Sequence, residues 1–268
     1  MPKKVAAMRM AIKSVAKKTA AKKVAKKTVA KKSAKEEKAL WRSDGSCVIS
    51  GDYHDTVWGR PVTDERQLFG QLSLVTQQCG VSWQTVWNKR ESYEQAFCGW
   101  DMKRVAAMGG ENLDKSLDEL CGERWAGKLL RNRQKLGAII HNARLCVKIA
   151  ESHAGGLAGF LWSFVLGRDD ALNQSTECSG DAYKRMFGAT GLVSDEMALA
   201  IKGGKARVVG GERLDFKFLG STTLQAFLLQ NGLLDGHIVG CSTCARNRKA
   251  RPKSMSYFTV AQSGQVSS

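Results

Sequence analysis

Only three prolines occur in 268 residues, and two of them lie within the first 61, so most of the chain is free to run in long helices. The apolar residues keep helical spacing. From Thr63 onward Leu68, Phe69, Leu72 and Val75 or Thr76 recur at three- and four-residue steps. Ser82 stands where it can cap the next helix, whose Trp83, Val86 and Trp87 share one face. Further helices are expected after Asp101, over 112–121 with Leu113, Leu117 and Leu120 inward, and from about Leu129 to His153. Others follow over 157–166, over 195–202 behind the cap Ser194, and over 221–231. The glycine-rich stretch 203–211 reads as a loop, and no alternating strand pattern occurs elsewhere. The fold class is all-α.

The longest apolar stretches are interrupted by charges and fall short of the roughly 18 residues of a membrane span, so no membrane partner is expected. Eight cysteines (47, 79, 98, 121, 146, 178, 241 and 244) are scattered through helical patterns rather than clustered in a small loop-rich module, and they read as reduced. The charge is concentrated. Residues 1–38 hold thirteen lysines and one arginine against two glutamates, a net of +12 within a chain of +17, and Ala-Lys-Lys recurs at 16–18, 21–23, 25–27 and 30–32. A segment so poor in large apolar residues does not offset its ordering entropy, so a disordered tail whose partner is a polyanion is expected. Its composition resembles the tails of linker-histone-like chromatin proteins. Clustered lysines also read as a nuclear address in a eukaryotic host; otherwise the protein belongs in the cytoplasm or with the nucleoid.

Two local patterns carry chemistry. Four histidines are present, and His237 precedes Cys241 by four residues, which sets both side chains on one side of a helical turn. With His54 they make the ligand set of one metal site, and Cys244 or Cys47 can supply a fourth ligand. The second pattern is Gly122-Glu123-Arg124-Trp125-Ala126-Gly127 between two helices, the outline of a helix-hairpin-helix. Backbone N–H groups at such a hairpin bind a phosphate oxygen whatever the base, and Gly127, Lys128, Arg131 and Arg133 are the candidate DNA contacts.

The motifs Tyr53-His54-Asp55-Thr56-Val57-Trp58-Gly59, Gln77-Gln78-Cys79-Gly80-Val81-Ser82-Trp83 and His237-Ile238-Val239-Gly240-Cys241 occur here in a definite order. Between them come Arg131 to Arg144, Phe160-Leu161-Trp162-Ser163-Phe164, Phe216-Lys217-Phe218-Leu219-Gly220 and Gly232-Leu233. Taken together, from about Leu40 to Arg246, they resemble the DNA-3-methyladenine glycosylase I family, in the helix-hairpin-helix glycosylase superfamily. The resemblance implies a glycosylase-like helical domain over 39–250, a zinc-linked subdomain joining its N- and C-terminal parts, and disordered tails at 1–38 and 251–268. It implies a base pocket lined by Tyr53, Trp58 and Trp83, one structural zinc, and double-stranded DNA with alkylated bases as partner. The implied activity is excision of 3-methyladenine, or a related N3-alkylpurine, in base excision repair, by base flipping and N-glycosidic hydrolysis without a redox cofactor.

Several positions depart from the family pattern. Val75 stands where the family has a glutamate that accepts hydrogen bonds from the flipped base. Trp41 stands where the family's first zinc-ligating cysteine is found, and Ser43 and Ser50 replace two pocket aromatics. Lys128 is an extra residue between the hairpin glycine and Leu129-Leu130. These departures keep an alternative open, a non-catalytic chromatin or DNA-binding protein that retains the glycosylase fold.

The tail generates the first prediction. Neutralising phosphates releases counterions, so deleting residues 1–38 weakens non-specific DNA binding and flattens the dependence of log affinity on log salt. Single-turnover base excision stays nearly constant, because the tail has no aromatic group to enter the base pocket. Salt titrations of full-length and shortened protein, paired with single-turnover assays, check both outcomes.

Overall fold

Side-chain caps decide where the helices begin. The computed structural model describes residues 52–172, 190–202, 208–209, 211–237 and 241–263. After the short helix α1 (Asp52–Thr56), helix α2 (Glu65–Gln77) starts where the Asp64 carboxylate accepts from the Gln67 amide at 2.8 Å. Ser82 caps α3 (Trp83–Trp87) as expected, accepting from the Thr85 amide at 3.2 Å. Then come α4 (Arg90–Ala96), α5 (Met102–Ala106) behind the cap Asp101, and α6 (Leu113–Cys121). The long helix α7 (Arg133–Ser152) begins later than its apolar pattern suggests, because the Asn132 side chain takes the Lys135 amide at 3.1 Å and sets the start there. The remaining helices are α8 (Gly156–Trp162), α9 (Leu192–Ile201), α10 (Ser221–Gln230), α11 (Ser242–Ala250) and α12 (Ser256–Ser263). Ser194 is not the cap of α9 but lies inside it, its hydroxyl reaching back to the Gly191 N–H at 2.9 Å.

The all-α expectation holds with one small exception. Within the glycine-rich loop β1 (Val208–Val209) pairs antiparallel with β2 (Glu212–Arg213), in the register Val208 to Arg213. Glu212 ties this ribbon to α7 through Arg144 at 2.8 Å and through Lys148. The buried Asn142 side chain then pairs with Lys217 like a strand backbone, donating to its carbonyl at 3.0 Å and accepting from its N–H at 2.8 Å. No helix among the described residues is long and apolar enough to cross a membrane.

Helix α7 is the centre of packing. Leu136, Ile139, Ile140, Leu145 and Ile149 are fully covered by α2, α5, α6 and α8. Helix α2 presents Leu68, Phe69, Leu72 and Val75 to the same core and also meets α10. The segment after α1 joins the C-terminal part by backbone pairing: the Gly59 N–H donates to Gln230 O at 2.9 Å and the Val62 N–H to Asn231 O at 3.1 Å. That approach needs Gly232 (φ +64°), where a Cβ would lie 2.6 Å from the Gly59 carbonyl oxygen and 2.7 Å from Pro61 N.

The expected tails meet different outcomes. Residues 1–51 lie outside the described residues, and with them the basic tail, Trp41, Ser43, Cys47 and Ser50; so do Cys178 and residues 264–268. Residues 251–263, by contrast, depart from the expected disordered tail. Arg251 donates to the Gly232 and Leu233 carbonyls and stands 5.2 Å over the Trp162 ring, while Phe258 stacks on that ring at 6.3 Å and is 4% exposed. One phenylalanine and one arginine give this short stretch enough buried surface to dock on α8. Truncating a buried phenylalanine costs about 3 kcal/mol. Phe258→Ala should therefore lower the urea-unfolding free energy by about that amount, measured at equilibrium.

Candidate base pocket and metal centre

The seam between the N- and C-terminal segments brings three predicted residues together. His54 comes from α1, His237 from the loop after α10, and Cys241 caps the start of α11. Their ligand atoms lie within 4.8 Å of one another, with Cys241 Sγ 3.5 Å from His54 Nε2 and 3.7 Å from His237 Nδ1. Metal–ligand bonds of 2.0–2.3 Å at a tetrahedral angle put neighbouring donors about 3.5 Å apart, so the donor set fits a zinc ion. The surroundings orient both rings. His54 Nδ1 contacts Asp55 Oδ1 at 2.6 Å, and His237 Nε2 meets Asn247 Nδ2 at 3.0 Å, which leaves His54 Nε2 and His237 Nδ1 toward the sulfur. Thr243 Oγ1 lies 3.0 Å from both Cys241 Sγ and His237 Nδ1. Burial pushes the His237 pKa down to about 4, with the nearby His54 adding to the effect and Asp235 opposing it.

Cys244 does not join this cluster. It is buried on the first turn of α11 and directs its thiol to Asp235 Oδ2 at 3.9 Å, an oxygen also held by Arg248 Nε at 2.5 Å. Trp58 belongs to the seam as well. It is 2% exposed, and its ring centroid sits 4.8 Å from that of His237, edge to face, and 6.1 Å from that of His54.

Tyr53 and Trp83 do come together. Trp83 Nε1 donates to the Tyr53 hydroxyl at 3.0 Å, and burial raises the Tyr53 pKa well above the usual phenol range. A third ring joins them: Trp87 meets Tyr53 edge to face at 4.8 Å and Trp83 at 5.8 Å, with the Arg90 guanidinium 4.6 Å over its face. Val75, in the last turn of α2, is fully buried among apolar neighbours. The end of that helix is anchored from two sides. Gln77 Nε2 donates to Lys135 O at 3.0 Å, Lys135 Nζ returns to Gln77 O at 3.0 Å and to Cys79 O, and the Tyr93 hydroxyl lies 3.4 Å from Gln77 Oε1.

Helix α6, the one-turn 3-10 helix Glu123–Trp125, Gly127 at φ +70° and α7 form the helix, turn and helix of the expected outline. Several of its groups are engaged within the chain. The Lys128 and Leu129 amides both donate to Trp125 O, at 3.0 and 3.1 Å, and the Leu130 amide donates to the Tyr93 hydroxyl at 3.1 Å. The Lys89 ammonium takes the Gly127 carbonyl. Arg131 pairs with Glu123 at 3.0 Å, and Arg133 with Asp114 at 3.2 Å and with Asp118. Lys128 stands 5.9 Å over Trp125. These pairs are solvent-exposed, so each holds its arginine only weakly.

Residues 41–245 match the model of the methyladenine glycosylase family. The chain belongs to that family. It is 33% identical over 212 residues to the DNA-3-methyladenine glycosylase 1 of Escherichia coli (strain K12), covering 79% of this chain and 99% of that protein. It is also 33% identical to the DNA-3-methyladenine glycosylase of Haemophilus influenzae (strain Rd), covering 75% and 94%. Among solved structures, one on 3-methyladenine recognition by 3-methyladenine DNA glycosylase I from Staphylococcus aureus aligns with a TM-score of 0.58 and 30% identity, covering 72% of this chain and 89% of that one.

Within this methyladenine glycosylase, the contacts of Trp87, Tyr93 and Lys135 are not announced by the sequence. Trp87 was visible as the residue one helical turn after Trp83, a spacing that announces a shared face but not which ring it meets. Tyr93 and Lys135 gave no local signal, because each acts on a backbone or amide group that is distant along the chain.

Proposed function

We propose that the protein is a DNA glycosylase of base excision repair that flips an N3-alkylated purine, 3-methyladenine foremost, from duplex DNA and hydrolyses its N-glycosidic bond. The observation that carries this reading is the Tyr53, Trp83 and Trp87 ring group at the anchored end of α2, in a chain of this family. An adenine methylated at N3 is cationic, so electron-rich ring faces attract it and its bond to the sugar breaks with little assistance. Water is the nucleophile. The hairpin turn leading into α7, with Gly127, Lys128, Arg131 and Arg133, is the proposed phosphate contact. To bind there, phosphates exchange with Glu123, Asp114 and Asp118, a small cost for exposed pairs. The lysine-rich tail adds backbone attraction and, in a eukaryotic host, a nuclear address.

Val75 sets the rate in this reading. It accepts no hydrogen bond, and a bond to a charged group is worth about 1.5–3 kcal/mol, or about 10- to 150-fold. The same buried valine favours the second reading, a DNA-binding protein without excision. Release of free base from methylated DNA decides between them. Wild type should release 3-methyladenine slowly, and Val75→Glu should raise the rate by about one to two orders of magnitude. A wild type and a variant that both bind DNA but release no base would establish the second reading.

The same proposal assigns a structural zinc to His54, His237 and Cys241, with Cys47 as fourth ligand because the Cys244 thiol is turned to Asp235. When bound, the ion links the two chain segments and adds its binding energy to folding. Elemental analysis of protein purified without added metal should give one zinc per chain. Cys47→Ser should weaken its retention against a chelator, and Cys244→Ser should leave it unchanged.

A further inference from the structure

We infer that Cys241 and Cys244 form a reactive dithiol, which hydroperoxides convert to an intramolecular disulfide, and that this oxidation removes a metal donor from the seam between the chain segments. The zinc part of this inference rests on the metal assignment above; the dithiol does not.

The two cysteines occupy the cap and the first turn of α11, in the order Cys241-Ser242-Thr243-Cys244. The Cys244 N–H donates to the Cys241 carbonyl at 3.0 Å, a tight turn that brings the two Cα atoms within about 7 Å. A disulfide needs about 4.4–6.8 Å, so a side-chain rotation closes it without unfolding the helix. Paired cysteines at this spacing on a helix start are a known setting for thiol–disulfide chemistry. The other described cysteines, Cys79, Cys98, Cys121 and Cys146, have no second cysteine within three residues.

The two thiols have different surroundings, which assigns their parts. Cys241 is half-buried, with its sulfur among polar groups: His54, His237 and Thr243. A hydroperoxide reaches it first. The Cys241 sulfur attacks the peroxide oxygen, the O–O bond breaks, an alcohol or water leaves, and Cys241 becomes a sulfenic acid. Cys244 is buried with its thiol 3.9 Å from Asp235 Oδ2; its sulfur turns to attack the Cys241 sulfur, losing its proton to solvent. The S–S bond forms, the S–O bond breaks, and the hydroxyl leaves as water with a proton from solvent. Two thiols lose two hydrogens in total, and one peroxide is reduced. Cys241 in the disulfide is no longer a thiolate donor, so His54 and His237 alone would remain to hold a metal.

The test is intact-mass and peptide-mass analysis of the reduced full-length protein before and after hydrogen peroxide near one equivalent. The expected result is loss of two hydrogens, with the disulfide mapped to Cys241 and Cys244. Zinc-loaded protein should release one zinc per disulfide to a colorimetric chelator, and thiol reductant should reverse both changes. Cys244→Ser should stop at a Cys241 sulfenic acid that a dimedone-type nucleophile traps. Oxidation mapped to other cysteines, or no loss of hydrogens, overturns the inference. So does loss of zinc from reduced Cys244→Ser, which would make Cys244 a ligand. Protein that holds no zinc yet forms the disulfide overturns the metal assignment and upholds the dithiol.

Discussion

A buried imidazole sits at the centre of the contacts that join the two chain segments of this protein. His237 is fully covered, and it meets both segments: from the N-terminal side the His54 and Trp58 rings and a Gly59 with no room for a side chain, and from its own side Asp235, Cys241, Thr243 and Asn247. Asn247 also donates to the Gly59 carbonyl at 3.0 Å, and Arg246 reaches Asp55 O at 2.8 Å. Tyr53, one residue before His54, lies next to this contact and meets Trp83 through its hydroxyl at 3.0 Å. The clamp that secures the chain segments is therefore adjacent along the chain to the Tyr53, Trp83 and Trp87 ring group. A polar centre of this kind is costly to bury unless each group is paired, and here the pairing comes from both segments at once.

A second set of contacts links the end of α2 to the hairpin. The Tyr93 hydroxyl touches Gln77 at the end of α2 and receives the Leu130 amide from the hairpin, while Lys135 on α7 closes the α2 C-terminus. A hairpin seated on a phosphate would thus be connected, through one tyrosine and one lysine, to the helix that carries Val75. Burial pushes the Tyr93 pKa up to about 12, so the hydroxyl remains a neutral donor throughout the physiological range. The arrangement suits an enzyme that must hold backbone and base in fixed relation while the nucleotide is rotated out.

One departure implied by the family resemblance lies in the core packing itself: Val75 stands where a carboxylate is expected, and it is fully buried among apolar side chains. Apolar packing tolerates such exchanges because it depends on volume and pattern, whereas recognition of a charged base depends on one oriented acceptor. Retained fold and altered selectivity are compatible for that reason.

Much of the architecture was legible in the chain itself. Helical spacing and the near absence of proline determined an all-α fold, Ser82 marked the start of α3, and the order of the motifs identified the family. The sequence also singled out His54, His237 and Cys241, whose meeting across some 180 residues only the tertiary structure shows. Other features are tertiary in origin. Whether Trp58 joins the pocket or the seam depends on which ring it packs against, and the fate of the Cys244 thiol depends on Asp235. Residues 251–263 looked like a tail because their composition is polar, yet Phe258 and Arg251 find the Trp162 ring and dock. Periodicity reports which face of an element is apolar. It does not report which distant surface will cover that face, because that is decided when all the elements compete for the same core.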